Sequence, residues 1–429
     1  MFHSFHLLRL MTCMLLVTIL LVQNGNAQKS LSDTLQLNLQ QAEKQFIDSN
    51  YLVLASHYNV DAQKSLIEQA KRWQNPTLNT DFMVGANGKY LTYSKNPDGS
   101  YNGQYYVQLQ QLILTARKRG KLIDMATTNS KLSELQLEDL LRNLRYQLHQ
   151  DYYTLQHQVA LLNLYKQQSL QLNKLLNGMQ AQLNAGNIAQ KDFVRIQALV
   201  IALQQDMTDQ NKAILDTQND LKTLLQVKDA KIFIKPADEL NGIIQLPESL
   251  ESLTNTALQS NPNYLLQQIQ TVYQQQNLTY QKSLRTPDIT LGPNFDRNSN
   301  FAPNYIGMGI SLPLPVFNKN QGNIKAATFT IKQQQATVQN TETELINNVN
   351  NAYKKLLLTV EQNNSTQMDF YSKYRAIYNN MMQSYRDRRI SLLEFIDFFN
   401  DYTDSQQRLL QQQLNLQLAK EELQYHVSK

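Results

Sequence analysis

Residues 310–327 read ISLPLPVFNKNQGNIKAA. An apolar segment carrying Pro313 and Pro315 gives way to the polar run Asn-Lys-Asn-Gln-Gly, and no proline follows Gly322 up to Lys429. Residues 109–126, LQQLILTARKRGKLIDMA, present the same order of events some two hundred residues earlier. Each time a short apolar segment ends at a basic corner holding a glycine, Gly120 or Gly322, and a long polar run begins. Proline ends a strand ladder because it has no N–H to give, and glycine permits a sharp turn. Both stretches therefore predict a strand-to-helix corner. A surface loop of a soluble protein would carry the same residues.

The runs that follow have helical periodicity. After the first corner, Leu137, Leu141, Leu144, Leu148, Tyr152, Leu155, Val159 and Leu162 recur at spacings of three and four, a heptad-like stripe. A helix over 116–183 would extend roughly 100 Å. NAGN at 184–187 then supplies a turn, with its glycine as a left-handed cap. Phe193, Ile196, Val200, Leu203, Met207 and Ile214 predict a second helix, making a long antiparallel α-hairpin. In the second half Ile324, Ala327, Ile331, Val338, Leu345, Val349, Ala352, Leu356 and Val360 predict one helix from 322 to about 384. RDRRIS at 386–391 is its turn, and Leu392, Phe395, Phe399, Tyr402 and Leu409 mark the returning helix. The two turns align without gaps, Ile188 with Ile390, Asp192 with Glu394 and Phe193 with Phe395. A repeat this long is an internal duplication rather than a solenoid unit.

Each hairpin follows two strand-like pieces. PTLNTDFMVGA (76–86) puts Leu78, Thr80, Phe82 and Val84 on one face, and GQYYVQLQQ (103–111) alternates Tyr105, Val107 and Leu109 against Gln104, Tyr106, Gln108 and Gln110. PDITLGPNF (287–295) and NYIGMGISL (304–312) repeat the pattern with Ile289, Leu291, Ile306, Met308, Ile310 and Leu312. Period-two alternation over such lengths is a strand with one apolar face. Pro293 interrupts the third.

The 429 residues carry a net charge of +5, 13 glycines and 10 prolines. Mean hydropathy is −0.47, which excludes a bundle of apolar membrane helices. No basic cluster long enough to track phosphates occurs, so nucleic acid is not an expected partner. At the start, Arg9 precedes the apolar run LMTCMLLVTILLV (10–22), and QNGNA follows. That is the plan of a secretory signal peptide ending at Ala27; the run is short for a membrane anchor. Cys13, the single cysteine, lies inside this segment, so residues 28–429 have no disulfide and no thiolate chemistry. The expected division is a signal peptide over 1–27, a first repeat over 28–230, a linker or equatorial segment over 231–250, and a second repeat over 251–429.

The strands constrain assembly. Segments of about ten residues with one apolar and one polar face suit an outer-membrane barrel. Four strands cannot close one, since known barrels begin at about eight, and an open sheet in lipid leaves unsatisfied edges. Several copies must share one barrel if the chain is a membrane protein. The expected fold class is therefore an α+β membrane protein, with a shared β-barrel of four strands per chain continued by a tube of long α-hairpins. Basic residues at 117–121 and Lys319 would sit at headgroup level.

This plan resembles the TolC-type outer-membrane efflux channels over nearly the whole chain after residue 27. The corner at 310–327 is its most specific motif, and with QQLILTARKRGKLI (110–123) it is most similar to the heavy-metal efflux branch. The resemblance implies a homotrimer in the outer membrane, docked through a periplasmic adaptor protein onto an inner-membrane pump, with the helices in the periplasm. It also implies a periplasmic gate at the hairpin turns: Asp192, Glu394 and Asp397 match acidic ring positions, and Tyr385 matches a gate tyrosine. A gate arginine is replaced by Ile390, for which Arg386, Arg388 or Arg389 could substitute, and Arg388 stands where a glycine is usual. Acids in a first helical turn also simply suit the positive end of the helix dipole. A cysteine at the cleavage point, present in lipid-anchored members, is lacking.

Catalytic and cofactor motifs are not found. His57, His149, His157 and His426 form no metal-ligand pairing at helical spacing with a carboxylate between, and His149 and His157 read as wall residues. No metal site, cofactor or catalytic residue is expected. Two other readings fit parts of the pattern: a periplasmic coiled-coil scaffold or adaptor without a pore, and the same channel serving protein secretion.

Overall fold

A computed structural model of the chain describes residues 33–86, 89–90, 99, 103–238, 248–299, 301–363 and 365–428. The expected signal peptide lies outside them, as do most of the loop between the first two strands and the centre of the linker. The described chain opens with β1 (Thr34–Leu37), α1 (Leu39–Ser49) and α2 (Tyr51–Lys71). Strand β2 (Thr77–Phe82), a small hairpin of β3 (Gly85–Ala86) and β4 (Lys89–Tyr90), and β5 (Tyr105–Ile113) follow. They lead into α3 (Lys118–Asn184) and α4 (Gln190–Leu225). After β6 (Phe233–Pro236) come α5 (Leu250–Ser260), α6 (Pro262–Ser283), β7 (Ile289–Asn298), β8 (Pro303–Ser311), α7 (Gln321–Gln362), α8 (Ser365–Arg386) and α9 (Leu392–Val427).

The four long strands make one antiparallel sheet in the order β2-β5-β7-β8. Its register sorts the side chains. Leu78, Thr80 and Phe82 lie opposite Leu109, Val107 and Tyr105; Val107 lies opposite Phe295, and Ile113 opposite Ile289; Phe295, Pro293 and Leu291 lie opposite Ile306, Met308 and Ile310. Because side chains alternate along a strand, these form one apolar face across all four strands. The other face carries the row Asp81, Tyr106, Asp296 and Tyr305 and the row Asn79, Gln108, Asn294 and Gly307. Pro293 does sit inside a strand. The β5–β7 ladder skips the two residues opposite it and Gly292, where a Cβ would meet the Leu109 carbonyl oxygen at 2.4 Å.

The helical stripes are the core. Leu148, Tyr152, Leu155 and Leu162 of α3 bury against Ile214, Leu221 and Leu225 of α4 and Phe46 of α1. Leu345, Val349, Ala352 and Leu356 of α7 bury with Leu416, Ala419 and Leu423 of α9. Next to the sheet, α2 packs on α3, α3 on α6 and α6 on α7; further away, α4 packs on α3, α3 on α9 and α9 on α8. The expectation of one helix over 322–384 is corrected: α7 ends at Gln362 and α8 starts at Ser365. Asn363 leaves helical geometry (φ −98°, ψ 40°), and its side-chain amide donates to the Thr359 carbonyl at 2.7 Å. Asn and Ser side chains compete for backbone partners in this way.

The linker has more order than its composition suggests. Strands β1 and β6 form a parallel pair. Gln218 of α4 accepts from the Ile234 N–H at 2.9 Å and donates to the Ile234 carbonyl, so its amide continues the ribbon.

The corners turn differently from expectation. Gly120 and Gly322 lie in the first turns of α3 and α7, without positive φ. The left-handed residues are Ala116 (φ 51°), Arg117 (φ 54°) and Asn320 (φ 58°). Pro313 and Pro315 follow the end of β8. Nor do all the basic residues face outward. Lys118 is buried, and its ammonium donates to Asp288 at 2.7 Å and to the Thr286 carbonyl at 2.6 Å. Thr115 adds a backbone N–H to Asp288 at 2.8 Å. At the second corner Asn320 donates to the Gln281 carbonyl at 2.8 Å.

Removing one partner of a buried ion pair leaves the other charge uncompensated, at a cost of about 3 kcal/mol. Lys118→Met is expected to lower the thermal midpoint of the detergent-solubilised protein clearly. Asp288→Asn with Lys118→Met should recover much of the loss, and unfolding followed by circular dichroism checks both.

Candidate functional site

The two hairpin turns lie side by side and are built by the same backbone device. At the first, Gly186 (φ 74°) donates its N–H to the Leu183 carbonyl at 2.9 Å, and Asn187 donates to the Gln182 carbonyl at 2.9 Å. At the second, Arg388 (φ 59°) donates to Tyr385 at 3.0 Å and Arg389 to Ser384 at 2.8 Å. Both are Schellman motifs, and Arg388 occupies the left-handed position that glycine fills in the first turn.

The structure brings Asp192 and Tyr385 together across the hairpins. Burial, with the Asp192 carboxylate nearby as a second cause, pushes the Tyr385 phenol above its usual value. Tyr385 stacks on Phe395 at 4.9 Å, and its hydroxyl reaches Met179 Sδ at 3.8 Å. Glu394 is occupied locally: its carboxylate accepts the Ser391 backbone N–H at 2.8 Å, and Ser391 Oγ accepts the Glu394 N–H at 3.2 Å. That capping box holds the Glu394 carboxyl below its usual range. Asp397 lies three residues further along α9, exposed.

Ile390 packs at the margin of the apolar tip cluster. Of the neighbouring arginines, Arg388 donates to Gln182 Oε1 of the first hairpin at 3.3 Å, and Arg389 lies 3.6 Å from Asp387. Sequence reasoning missed the aromatic seam above the turns. Tyr378 stacks on Tyr402 at 3.9 Å with rings 11° from parallel, and its hydroxyl donates to Gln171 at 3.0 Å. The signal was present in the spacing of Tyr371, Tyr374, Tyr378 and Tyr385, set beside Phe395, Phe399 and Tyr402.

A four-stranded sheet with one apolar face, joined by tied corners to long antiparallel helices, is the plan of an outer-membrane channel component. The chain belongs to the outer membrane efflux protein family, whose model matches residues 38–226 and 253–426. No curated protein matches it. Among solved structures it is similar in fold to CusC (TM-score 0.72, 15% identity, covering 91% of this chain and 92% of that one). It is also similar to the Campylobacter jejuni outer membrane channel CmeC (0.72, 12%, 94% and 87%) and to the Vibrio cholerae outer membrane protein VceC (0.70, 11%, 91% and 95%).

A non-glycine residue in the left-handed region carries a strain of about 1 kcal/mol. Arg388→Gly is therefore expected to stabilise the tip slightly despite loss of the Gln182 contact, and Gly186→Ala to destabilise it by a similar amount. Hydrogen exchange of the amides at 182–190 and 384–392 reads the two changes separately.

Proposed function

We propose that three copies of the chain close one twelve-stranded barrel in the outer membrane and continue it as a helical tube through the periplasm. The observation that carries this reading is the sheet. Leu78, Phe82, Ile306, Met308 and Ile310 are each between 61% and 78% exposed, and β2 and β8 each pair on one side among the described residues. Such a face suits lipid, and such edges need partners there. The helical edges support the same joint. Tyr51, Tyr58 and Leu66 of α2 and Phe329 and Leu358 of α7 are exposed, on the two helices that flank the row as β2 and β8 flank the sheet. Identical copies meeting edge to edge cover all of these at once.

On this reading the chain is the outer-membrane member of a tripartite efflux system. A periplasmic adaptor and an inner-membrane pump deliver its cargo, and selection of cargo lies with the pump. The two halves are a duplication, which the matching turns at Gly186 and Arg388 support; its units run over 28–230 and 251–429 with 231–250 between. The corner sequences at 110–123 and 310–327 favour the heavy-metal efflux branch, while the likeness in fold is equal for CusC and CmeC. The hairpin tips form the periplasmic gate, where Asp192, Glu394 and Asp397 from each copy would favour cations.

The purified protein should have the mass of three chains in detergent, and a species of one chain with channel activity would overturn the proposal. In planar bilayers, Glu394→Gln with Asp397→Asn is expected to reduce cation-over-anion permeability several-fold. Unchanged reversal potentials would remove those two residues from the gate while leaving the channel intact.

A further inference from the structure

His149 of α3 is buried between two carboxylates from different parts of the chain. Its Nδ1 lies 2.5 Å from Glu421 Oε2 of α9, and its Nε2 lies 2.5 Å from Glu43 Oε1 of α1. Glu421 is 4% exposed. One imidazole thus joins three elements: the helix that follows the β1–β6 ribbon, the first hairpin and the last helix of the second hairpin. With both ring nitrogens facing carboxylate oxygens, only the imidazolium can donate to both.

We propose that His149 is a proton-operated pin, which fastens α1 and the two hairpins together when charged and releases them when it loses its proton. Burial alone would lower the imidazole pKa, but the hydrogen bonds and charges of Glu421 and Glu43 outweigh it and raise the value above the ordinary 6.5. The pin's contribution is complete below about pH 6.5 and is lost as the pH climbs through the raised folded value.

The surrounding groups do not replace it. Arg145 reaches Glu43 at 3.9 Å from a half-exposed position. Arg142 is engaged by Asp139 at 2.6 Å and lies over the Tyr425 ring. On α9, Lys420 stands 3.8 Å from Oε1 of Glu421, the oxygen that His149 does not contact, and Glu422 is taken by Lys355 of α7 at 2.7 Å. The phenols of Tyr146 and Tyr153 are pushed up, chiefly by burial and then by nearby carboxylates, that of Tyr146 to about 12. They stay neutral throughout the range in which His149 titrates. From α5 and α6 the neighbouring cleft receives Ser260 and Pro262, which carry no charge. Deprotonation therefore leaves the buried Glu421 facing Glu43 across a neutral ring.

The test uses the full-length protein as purified in detergent, its thermal midpoint measured from pH 6 to 9 beside His149→Gln. The wild type is expected to lose several degrees relative to the variant as pH rises, with exchange at the amides of 39–49, corrected for intrinsic rate, rising in parallel. Midpoints that stay a constant distance apart across this range would overturn the pin. If His149→Gln does not assemble, Glu43→Gln decides: removing one carboxylate must move the wild-type pH transition to lower pH. An unmoved transition would overturn the proposal equally.

Discussion

A peptide group inside hydrocarbon has no water to bond, so each unpaired N–H or carbonyl there costs several kcal/mol. That constraint governs the whole chain. It makes the apolar face of the β2-β5-β7-β8 sheet intelligible, and on the proposed reading it leaves β2 and β8, each paired on one side among the described residues, in need of partners. It also explains why the helices are laid out as they are. A sheet edge can be completed by another copy only if the attached helices do not collide, and they must meet at the same boundary. Helices α2 and α7 stand at the ends of the helical row as β2 and β8 stand at the ends of the sheet. In the proposed three-copy assembly the edge in lipid and the edge in water would form one continuous surface with two chemistries, hydrogen bonds in the sheet and apolar side chains along the helices.

Long helices hung from short strands act as levers, so the joints between them must be stiff. The polar ties at the corners supply this. Lys118 and Thr115 from the first corner converge on Asp288, the residue just before β7, which locks the first half's strand-to-helix turn onto the second half's sheet. Asn320 ties the second corner to the end of α6 through Gln281, within the second half. Local bonds add to each tie: Lys121 donates to the Ala116 carbonyl at 2.8 Å, and the Asn320 N–H to Asn318 at 2.9 Å. A buried lysine is costly unless paired, and Lys118 is paired with Asp288 at 2.7 Å.

Much of this was legible because two periods dominate. Every stripe position from Leu137 to Leu162 and from Leu345 to Leu356 is buried or half-buried, since a narrow apolar stripe has one way to be satisfied. The strands were legible for the same reason, as a one-residue slip would invert both faces. What escaped depended on single backbone torsions or on contacts distant in sequence. Gly120 and Gly322 looked like the pivots, yet the left-handed turns fall on Ala116, Arg117 and Asn320, where the capture of Lys118 and Asn320 by α6 and its C-terminal flank favours them. The break after Gln362 was written in Asn363, whose amide takes the Thr359 carbonyl, but the apolar spacing before it masked that competition for a backbone bond. Strand β6 was hidden because KIFIKP is too short to show alternation, and its partner β1 lies two hundred residues away. The acids after the two turns, Asp192, Glu394 and Asp397, were legible as a pattern. That Glu394 also caps its helix follows from Ser391 three residues before it, a signature as local as any in the chain.

The difference between the halves has a mechanical meaning. Helix α3 is unbroken over 67 residues and packs on α1, α2, α4, α6 and α9, so bending it would disturb every seam at once. Its counterpart in the second half is divided into α7 and α8. The lower piece rests on α9 through ring contacts, Tyr374 edge-on to Phe398 and Tyr378 stacked on Tyr402. Aromatic pairs of this kind are worth about 1 kcal/mol each beyond their buried area. An interrupted helix is thus set against a continuous one held by five other helices. The same hairpin carries the non-glycine left-handed turn at Arg388, so the helix break and the backbone strain lie in one hairpin.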